Sequence, residues 1–424
     1  YYTFGIGQTN PNISKEIIQR FESEADFYGC FYGELSGYAT GRVFPRVLDL
    51  IYQQFNLSDR LNGYPTKEER KTIYASKQKE AIQMVATFKA GQFLYLIQEF
   101  ESAAQCFNYL VNQFPSREIL NNLAAAKLQQ ALLLYSGREQ SKFVYPIELD
   151  AKSRLASSHR GAPSEFNAKL FNQLLSEARR YSEQAKEADP GYVPAYINMA
   201  CIYSLQGNQP AAIGIINELN PTRITGNAHT IRAIAYYKDS QPKKAQKDFE
   251  AAQQKGAHMA KYNLAVFNKL NKSATEGFTV WIRNWLKQEE PPSISDKGNS
   301  SQQEQIAGQE AATPLPIQAP TLKISKKPNL VIQWKEKNDH LALGIQTATR
   351  SYLVRLTQEN YTNQTTRKIK QGTLYTNLIN KYGKPAYTFP GTIGEYWVYT
   401  TDRVAFYVDK NGKVNSWLIY ARIL

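Results

Sequence analysis

Between residues 85 and 285, small residues recur in a fixed relation to aromatic ones, and the relation returns about every 34 residues. Gly91 is followed by Ala103, Phe107 and Pro115, and a second set holds Ala178, Tyr181, Ala185 and Pro190. Tyr196-Ile197-Asn198-Met199-Ala200-Cys201-Ile202-Tyr203 continues to Gly207 and Ala212, and a fourth set holds Ala233, Tyr236, Ala245 and Phe249. Tyr262-Asn263-Leu264-Ala265 opens a last half-unit leading to Trp281 and Trp285, which are expected on a capping helix. Apolar residues at steps of three and four inside each period predict two helices per period. Small residues stand where two helices cross closely, and the bulky ones a turn away fill the space between pairs. One such pair cannot bury its own apolar face, so the pairs must stack.

The pattern is similar to the tetratricopeptide repeat. The resemblance implies a mainly α fold: a tetratricopeptide-type α-solenoid over residues 81–288, with a helical segment at 1–80 and a small C-terminal α+β domain. The unit opening with Asn121-Asn122-Leu123-Ala124-Ala125 has its second helix displaced by an insertion near 136–164. Stacked pairs leave a groove suited to a peptide or a partner helix. Tyr196, Asn198, Tyr203, Tyr236 and Asn263 are the expected groove contacts, with packing between repeats an equal or better use for the tyrosines.

Several classes of activity are excluded. The chain has no H-E-x-x-H, no G-x-x-x-x-G-K-[ST], no G-x-S-x-G, and no G-x-G-x-x-G between a strand and a helix. His159, His229, His258 and His340 have no second ligand at metal-clamp spacing, and His229 and His258 read as surface or packing residues. Cys30, Cys106 and Cys201 are too few and too scattered for a disulfide framework or zinc knuckle, and read as buried thiols. No apolar run of about 18 residues appears. As given, the chain lacks the parts for independent catalysis and carries no catalytic residue or cofactor.

The N-terminal segment has a further pattern. Glu22 and Asp26 sit four residues apart on one helix face, before Phe27-Tyr28-Gly29. Thr66 and Glu69 form a capping box after Tyr64-Pro65, and Arg70 follows. This stretch resembles the downstream part of the CAAX-prenyl-protease-like (gluzincin) zinc metallopeptidases. By that resemblance Glu22 is a zinc ligand, Asp26 orients a ligand histidine from behind, and Arg70 is the matching basic residue. The family's H-E-x-x-H helix is absent, and Tyr64 stands where the family often has His. Zinc is therefore expected only if such a helix lies upstream of Tyr1, with this chain then the substrate- or partner-binding part of a peptidase.

Residues 289–327, rich in Pro, Ser, Gln and Gly, predict a flexible linker. Beyond them the period becomes two. Strands are expected at Leu330–Trp334, Glu395–Tyr399, Arg403–Val408 and Val414–Tyr420, with a helix over Thr373–Gly383. Asn411-Gly412 marks a hairpin. Gly372-Thr373, Tyr382-Gly383-Lys384-Pro385 and Tyr396–Tyr399 resemble the SmpA/BamE-like modules of bacterial envelope lipoproteins, which implies a periplasmic or envelope setting. From Lys323 onward the chain carries 16 Lys and Arg against 6 Asp and Glu, much of the total net charge of +14. That excess suits an anionic membrane surface. Nucleic acid is disfavoured, because the basic residues are scattered and no RNP-type strand is present.

Overall fold

The computed structural model describes residues 15–35, 40–59, 65–135, 143–148, 167–257, 259–271, 304–326, 329–337, 339–358, 361–391, 394–409 and 411–423. Tyr64, His159, His258, Trp281 and Trp285 lie outside them, as does the side chain of Glu22. The chain forms two compact units. One holds the residues up to Thr87 with Lys337–Asp339 and Gln358–Tyr361. The other holds Phe88–Glu336, His340–Thr357 and Thr362–Leu424.

In the first unit, α1 (Lys15–Leu35) packs on α2 (Thr40–Gln54). The start of α3 (Lys67–Leu96) is fixed by the expected capping box. The Thr66 N–H donates to Glu69 Oε2 at 2.7 Å and the Glu69 N–H to Thr66 Oγ1 at 3.2 Å. The Phe44 and Tyr74 rings stack 3.8 Å apart. Cys30, Phe31, Leu48 and Tyr74 are among the buried residues of this unit.

The second unit begins within α3 and continues through α4 (Phe100–Gln113), α5 (Arg117–Tyr135), α6 (Ala168–Ala188), α7 (Val193–Leu205), α8 (Gln209–Asn217), α9 (Gly226–Lys238), α10 (Pro242–Gln254) and α11 (Ala260–Asn271). Helices start where the sequence supplies caps: Asn167, Asn208 and Thr225 accept from the backbone three residues on. Prolines occupy the first turns of α7, α8 and α10, where a missing N–H does no harm. Consecutive helices pair, α5 with α6, α7 with α8, α9 with α10, and the first helices also neighbour one another, α5 with α7, α7 with α9 and α9 with α11. This is the tetratricopeptide arrangement. Ala103, Phe107, Ala178, Ala200, Ala212, Ala233, Ala245 and Phe249 are all fully buried at the crossings. At Gly91 a Cβ would lie 2.9 Å from Phe107 Cε1 and 3.0 Å from Cys106 Cβ, so only glycine lets α3 approach α4 this closely.

The pair α9–α10 is pinned by a buried carboxylate. Asp248 accepts from Arg232 Nε at 2.6 Å and Nη2 at 2.8 Å, with His229 Nδ1 at 2.8 Å. Burial alone would raise the Asp248 carboxyl, but the bonds from Arg232 and His229 outweigh it and hold it below its ordinary value. His229 is thus a packing residue.

The C-terminal domain is an eight-stranded antiparallel sheet in the order β3-β4-β5-β6-β10-β9-β8-β7. Its strands are β3 (Thr321–Lys326), β4 (Asn329–Glu336), β5 (His340–Gln346), β6 (Ser351–Thr357), β7 (Tyr387–Gly391), β8 (Gly394–Tyr399), β9 (Val404–Asp409) and β10 (Val414–Ile423). Two meanders meet where β10 pairs β6, Leu418 opposite Leu356. Helix α12 (Tyr375–Tyr382) lies between them in sequence and ends at Gly383, whose φ of 77° favours glycine. The expected hairpin forms, with Asp409 Oδ1 accepting from the Asn411 and Lys413 N–H groups.

Two expectations are corrected here. The linker expected over 289–327 is structured from Glu304 on: β1 (Gln305–Ile306) and β2 (Gln309–Glu310) pair, and β3 edges the large sheet. Buried Glu304 accepts from Tyr382 Oη at 2.6 Å and the Thr366 N–H at 2.9 Å. Arg355 donates to the carbonyls of Glu310 and Thr313. The ordering comes from these specific polar contacts, which average composition does not register. Second, β5, β6 and β7 extend the four expected strands; β5 shows no alternation because it is covered on both faces, His340 through Ile345 all being buried. The sheet also packs on the repeats, Phe93 of α3 lying 5.5 Å from the rings of Tyr352 and Tyr420. Glu99 there accepts from Arg350 Nη1 at 2.9 Å and Tyr352 Oη at 3.1 Å.

Two outcomes are expected in chemical denaturation. Gly91→Val destabilises the repeats by about 1–3 kcal/mol, the usual cost of overpacking. Asp248→Asn costs about 3 kcal/mol at neutral pH, since it leaves Arg232 buried without its carboxylate. The Asp248 value is depressed in the folded state, so its stabilisation is complete above the ordinary carboxylate range and drains away as pH falls through the folded value. The gap between wild type and Asp248→Asn therefore narrows in acid.

Candidate functional site

Three asparagines on first helices, Asn121 on α5, Asn198 on α7 and Asn263 on α11, are completely buried. A buried carboxamide without partners costs on the order of 1–3 kcal/mol per group, so each needs hydrogen-bonding company. That company is a stretch of the chain itself. Phe143–Glu148, inside the insertion, runs across the face formed by α5, α7, α9 and α11 without forming helix or sheet of its own.

Its backbone is read at two places. Asn263 Oδ1 accepts the Val144 N–H at 2.9 Å while its Nδ2 donates to the Val144 carbonyl at 2.8 Å. Four residues on, Asn198 repeats the arrangement on Glu148, with both bonds at 2.7 Å. Asn121 Nδ2 donates to the same Glu148 carbonyl at 2.7 Å, and its Oδ1 accepts from Asn198 Nδ2 at 2.9 Å. A carboxamide that binds both groups of one residue acts as one rung of a β ladder.

The side chains of the segment are also housed. The Phe143 ring lies 5.3 Å from that of Tyr237 and 5.9 Å from that of Phe249. The Tyr145 oxygen lies 3.3 Å from Ser204 Oγ and accepts from Lys238 Nζ at 2.6 Å. Burial pushes the Tyr145 phenol up and pulls the Lys238 ammonium down to about 8. Pro146 and Ile147 are buried, and Glu148 Oε1 accepts from Asn227 Nδ2 of α9 at 3.0 Å.

Of the residues expected at a groove, Asn198 and Asn263 touch the segment. Tyr196 is buried elsewhere, its hydroxyl donating to the Pro190 carbonyl at 2.7 Å and its ring 4.9 Å from Lys186 Nζ. Tyr203 and Tyr236 are half-buried, with Lys244 Nζ 5.4 Å from the Tyr236 ring. Asn121, Asn227, Ser204, Lys238 and the segment itself were not foreseen. The signal for them was the run Phe-Val-Tyr-Pro-Ile, an apolar patch inside a stretch that a mere loop would leave polar.

In the other unit the structure joins Asp26 and Arg70, 44 residues apart: Arg70 Nη2 donates to Asp26 Oδ1 at 2.9 Å. Burial raises the Asp26 carboxyl and Arg70 pulls it back, leaving it above its ordinary value. Asp26 is committed to a guanidinium, and among the described residues no group of three or more His, Cys, Asp or Glu is placed to hold a metal. Cys30, Cys106 and Cys201 are buried thiols that form no disulfide. Among the described residues no helix is long and apolar enough to cross a membrane.

No family model matches the chain, and no curated protein matches it. Solved structures similar to it include a thermophilic tetratricopeptide repeat protein of Thermus thermophilus. That likeness has 12% identity and a TM-score of 0.34, and covers 54% of this chain and 98% of that one. Another is a tetratricopeptide repeat protein of Parabacteroides merdae, with 14% identity, a TM-score of 0.24, and coverage of 58% and 99%.

Asn198→Ala removes three hydrogen bonds around Glu148. Cleavage by chymotrypsin after Phe143 should then quicken by about tenfold or more, the equivalent of one lost buried hydrogen bond. An unchanged rate would mean that the amide does not hold the segment.

Proposed function

We propose that the chain is a non-catalytic scaffold whose repeat face receives an extended stretch of polypeptide and holds it by its backbone. The observation that carries this reading is the pair of asparagines, Asn198 and Asn263, each engaging the N–H and the C=O of one residue of a segment that is neither helix nor sheet. A helix uses those groups internally and has none to offer, so the face selects extended chain. Backbone reading of this kind is tolerant of sequence, and side-chain pockets add preference. The test is selection from a random peptide library, using the chain with residues 136–166 replaced by a Gly-Ser linker. Selected peptides should lose at least about tenfold in affinity on Asn198→Ala or Asn263→Ala. Failure to select any peptide, or binding indifferent to both substitutions, would overturn the reading.

A second reading is favoured by the Asp26–Arg70 ion pair, which brings together the two residues that the metallopeptidase resemblance assigns to one site. In it the chain is the partner-binding part of an envelope zinc peptidase, with the zinc histidines supplied by another stretch of polypeptide. One equivalent of zinc bound when a polypeptide carrying H-E-x-x-H is supplied to the chain, and lost on Glu22→Gln, supports it; zinc binding indifferent to Glu22→Gln leaves the scaffold reading alone.

A further inference from the structure

The second helices of most pairs follow closely on the first: three residues join α7 to α8, and three join α9 to α10. Between α5 and α6 the connection is 32 residues, 136–167, far beyond what joining two adjacent antiparallel helices needs. Six of those residues, 143–148, fill the repeat face, and they fit it by side chain as well as by backbone. Tyr237 and Phe249 flank an aromatic ring; Ser204 and Lys238 converge on a phenol oxygen; Asn227 donates to a carboxylate. Pro146 and Ile147 lie buried between these positions.

We infer that the external partner of this face is an extended segment with the order aromatic, any residue, tyrosine, proline, aliphatic, acidic. It enters with its N-terminal end at α11 and its C-terminal end at α5, and Phe143–Glu148 holds its place until it arrives. This inference rests on the scaffold reading and narrows it to one class of partner. Each position follows from a contact. Without a phenol oxygen the ammonium of Lys238, largely withdrawn from water, loses the acceptor it has at 2.6 Å. Without an aromatic ring the space beside Tyr237 and Phe249 is left open. Without a terminal acid the amide of Asn227 loses its acceptor. The direction is set by Asn263 binding residue 144 and by Asn198 and Asn121 binding residue 148. A tethered occupant acts at an effective concentration of about millimolar, so a partner must match its contacts to compete.

The test is fluorescence anisotropy with a labelled peptide, Gly-Ser-Phe-Val-Tyr-Pro-Ile-Glu-Gly-Ser, against the full chain and against Phe143→Ser/Tyr145→Ser/Ile147→Ser. The substituted chain should bind at least about tenfold more tightly than the full chain, because its own segment no longer competes. A scrambled peptide should not bind, and a peptide with Phe for Tyr should bind about tenfold more weakly. If the substituted chain fails to fold by circular dichroism, the intact chain supplies the readout: saturating peptide should speed amide hydrogen exchange at the chain's own Val144 and Glu148, and no acceleration overturns the inference. Equal binding of the scrambled peptide overturns it too. So does a dimer that dissociates on the triple substitution, which would assign the segment to exchange between two copies of the chain. If library peptides bind in an asparagine-dependent way while this one binds no better than its scramble, the partner class is wrong and the scaffold reading stands. If no peptide binds at all, both fail.

Discussion

Three buried carboxamides set the terms for the repeat array. Asn121, Asn198 and Asn263 have no exposure to water, and helices α5, α7 and α11 have spent their own backbone groups internally. Something with free N–H and C=O groups must lie against them, and only extended polypeptide has these at every residue. The array therefore does more than stack apolar faces. It carries a polar row that is costly when empty and favourable when a strand is present. The small residues at the crossings bring the first helices side by side, and the asparagines turn that row into a receptor for backbone.

The same economy of contact explains the second part of the larger unit. Phe93 presents an aromatic edge to Tyr352 and Tyr420, and Glu99 accepts from both Arg350 and Tyr352. The sheet is thus attached to the start of the array through α3 and the turn after it. Segment 304–326, with Glu304 buried beneath Tyr382 and with the backbone held by Arg355, completes the sheet edge. Polar groups placed singly and fully bonded give both regions their definition, over an apolar core that would by itself tolerate many arrangements.

Much of this was legible in the residues. The period of small and aromatic positions gave the helix pairs, since Ala103, Phe107, Ala200 and Phe249 occupy the crossings that their spacing required. Thr66 with Glu69, Gly383 and Asn411-Gly412 marked their local structures correctly, because each acts over a few neighbouring residues. Asn198 and Asn263 could be named as inward-facing residues, but not what they would hold, because their partner lies 50 residues away for one and 119 for the other. Strand β5 was hidden because burial on both faces erases alternation. Glu304 was hidden because one decisive carboxylate sat in a stretch whose average composition reads as solvated chain.

Amide hydrogen exchange at Val144 and Glu148 tests the central claim most directly, because those two N–H groups are the ones the asparagines accept. Both should exchange orders of magnitude more slowly than in an unstructured peptide. Asn263→Ala should release Val144, and Asn198→Ala should release Glu148. Exchange of both amides at the unstructured rate in the unaltered chain would contradict the account.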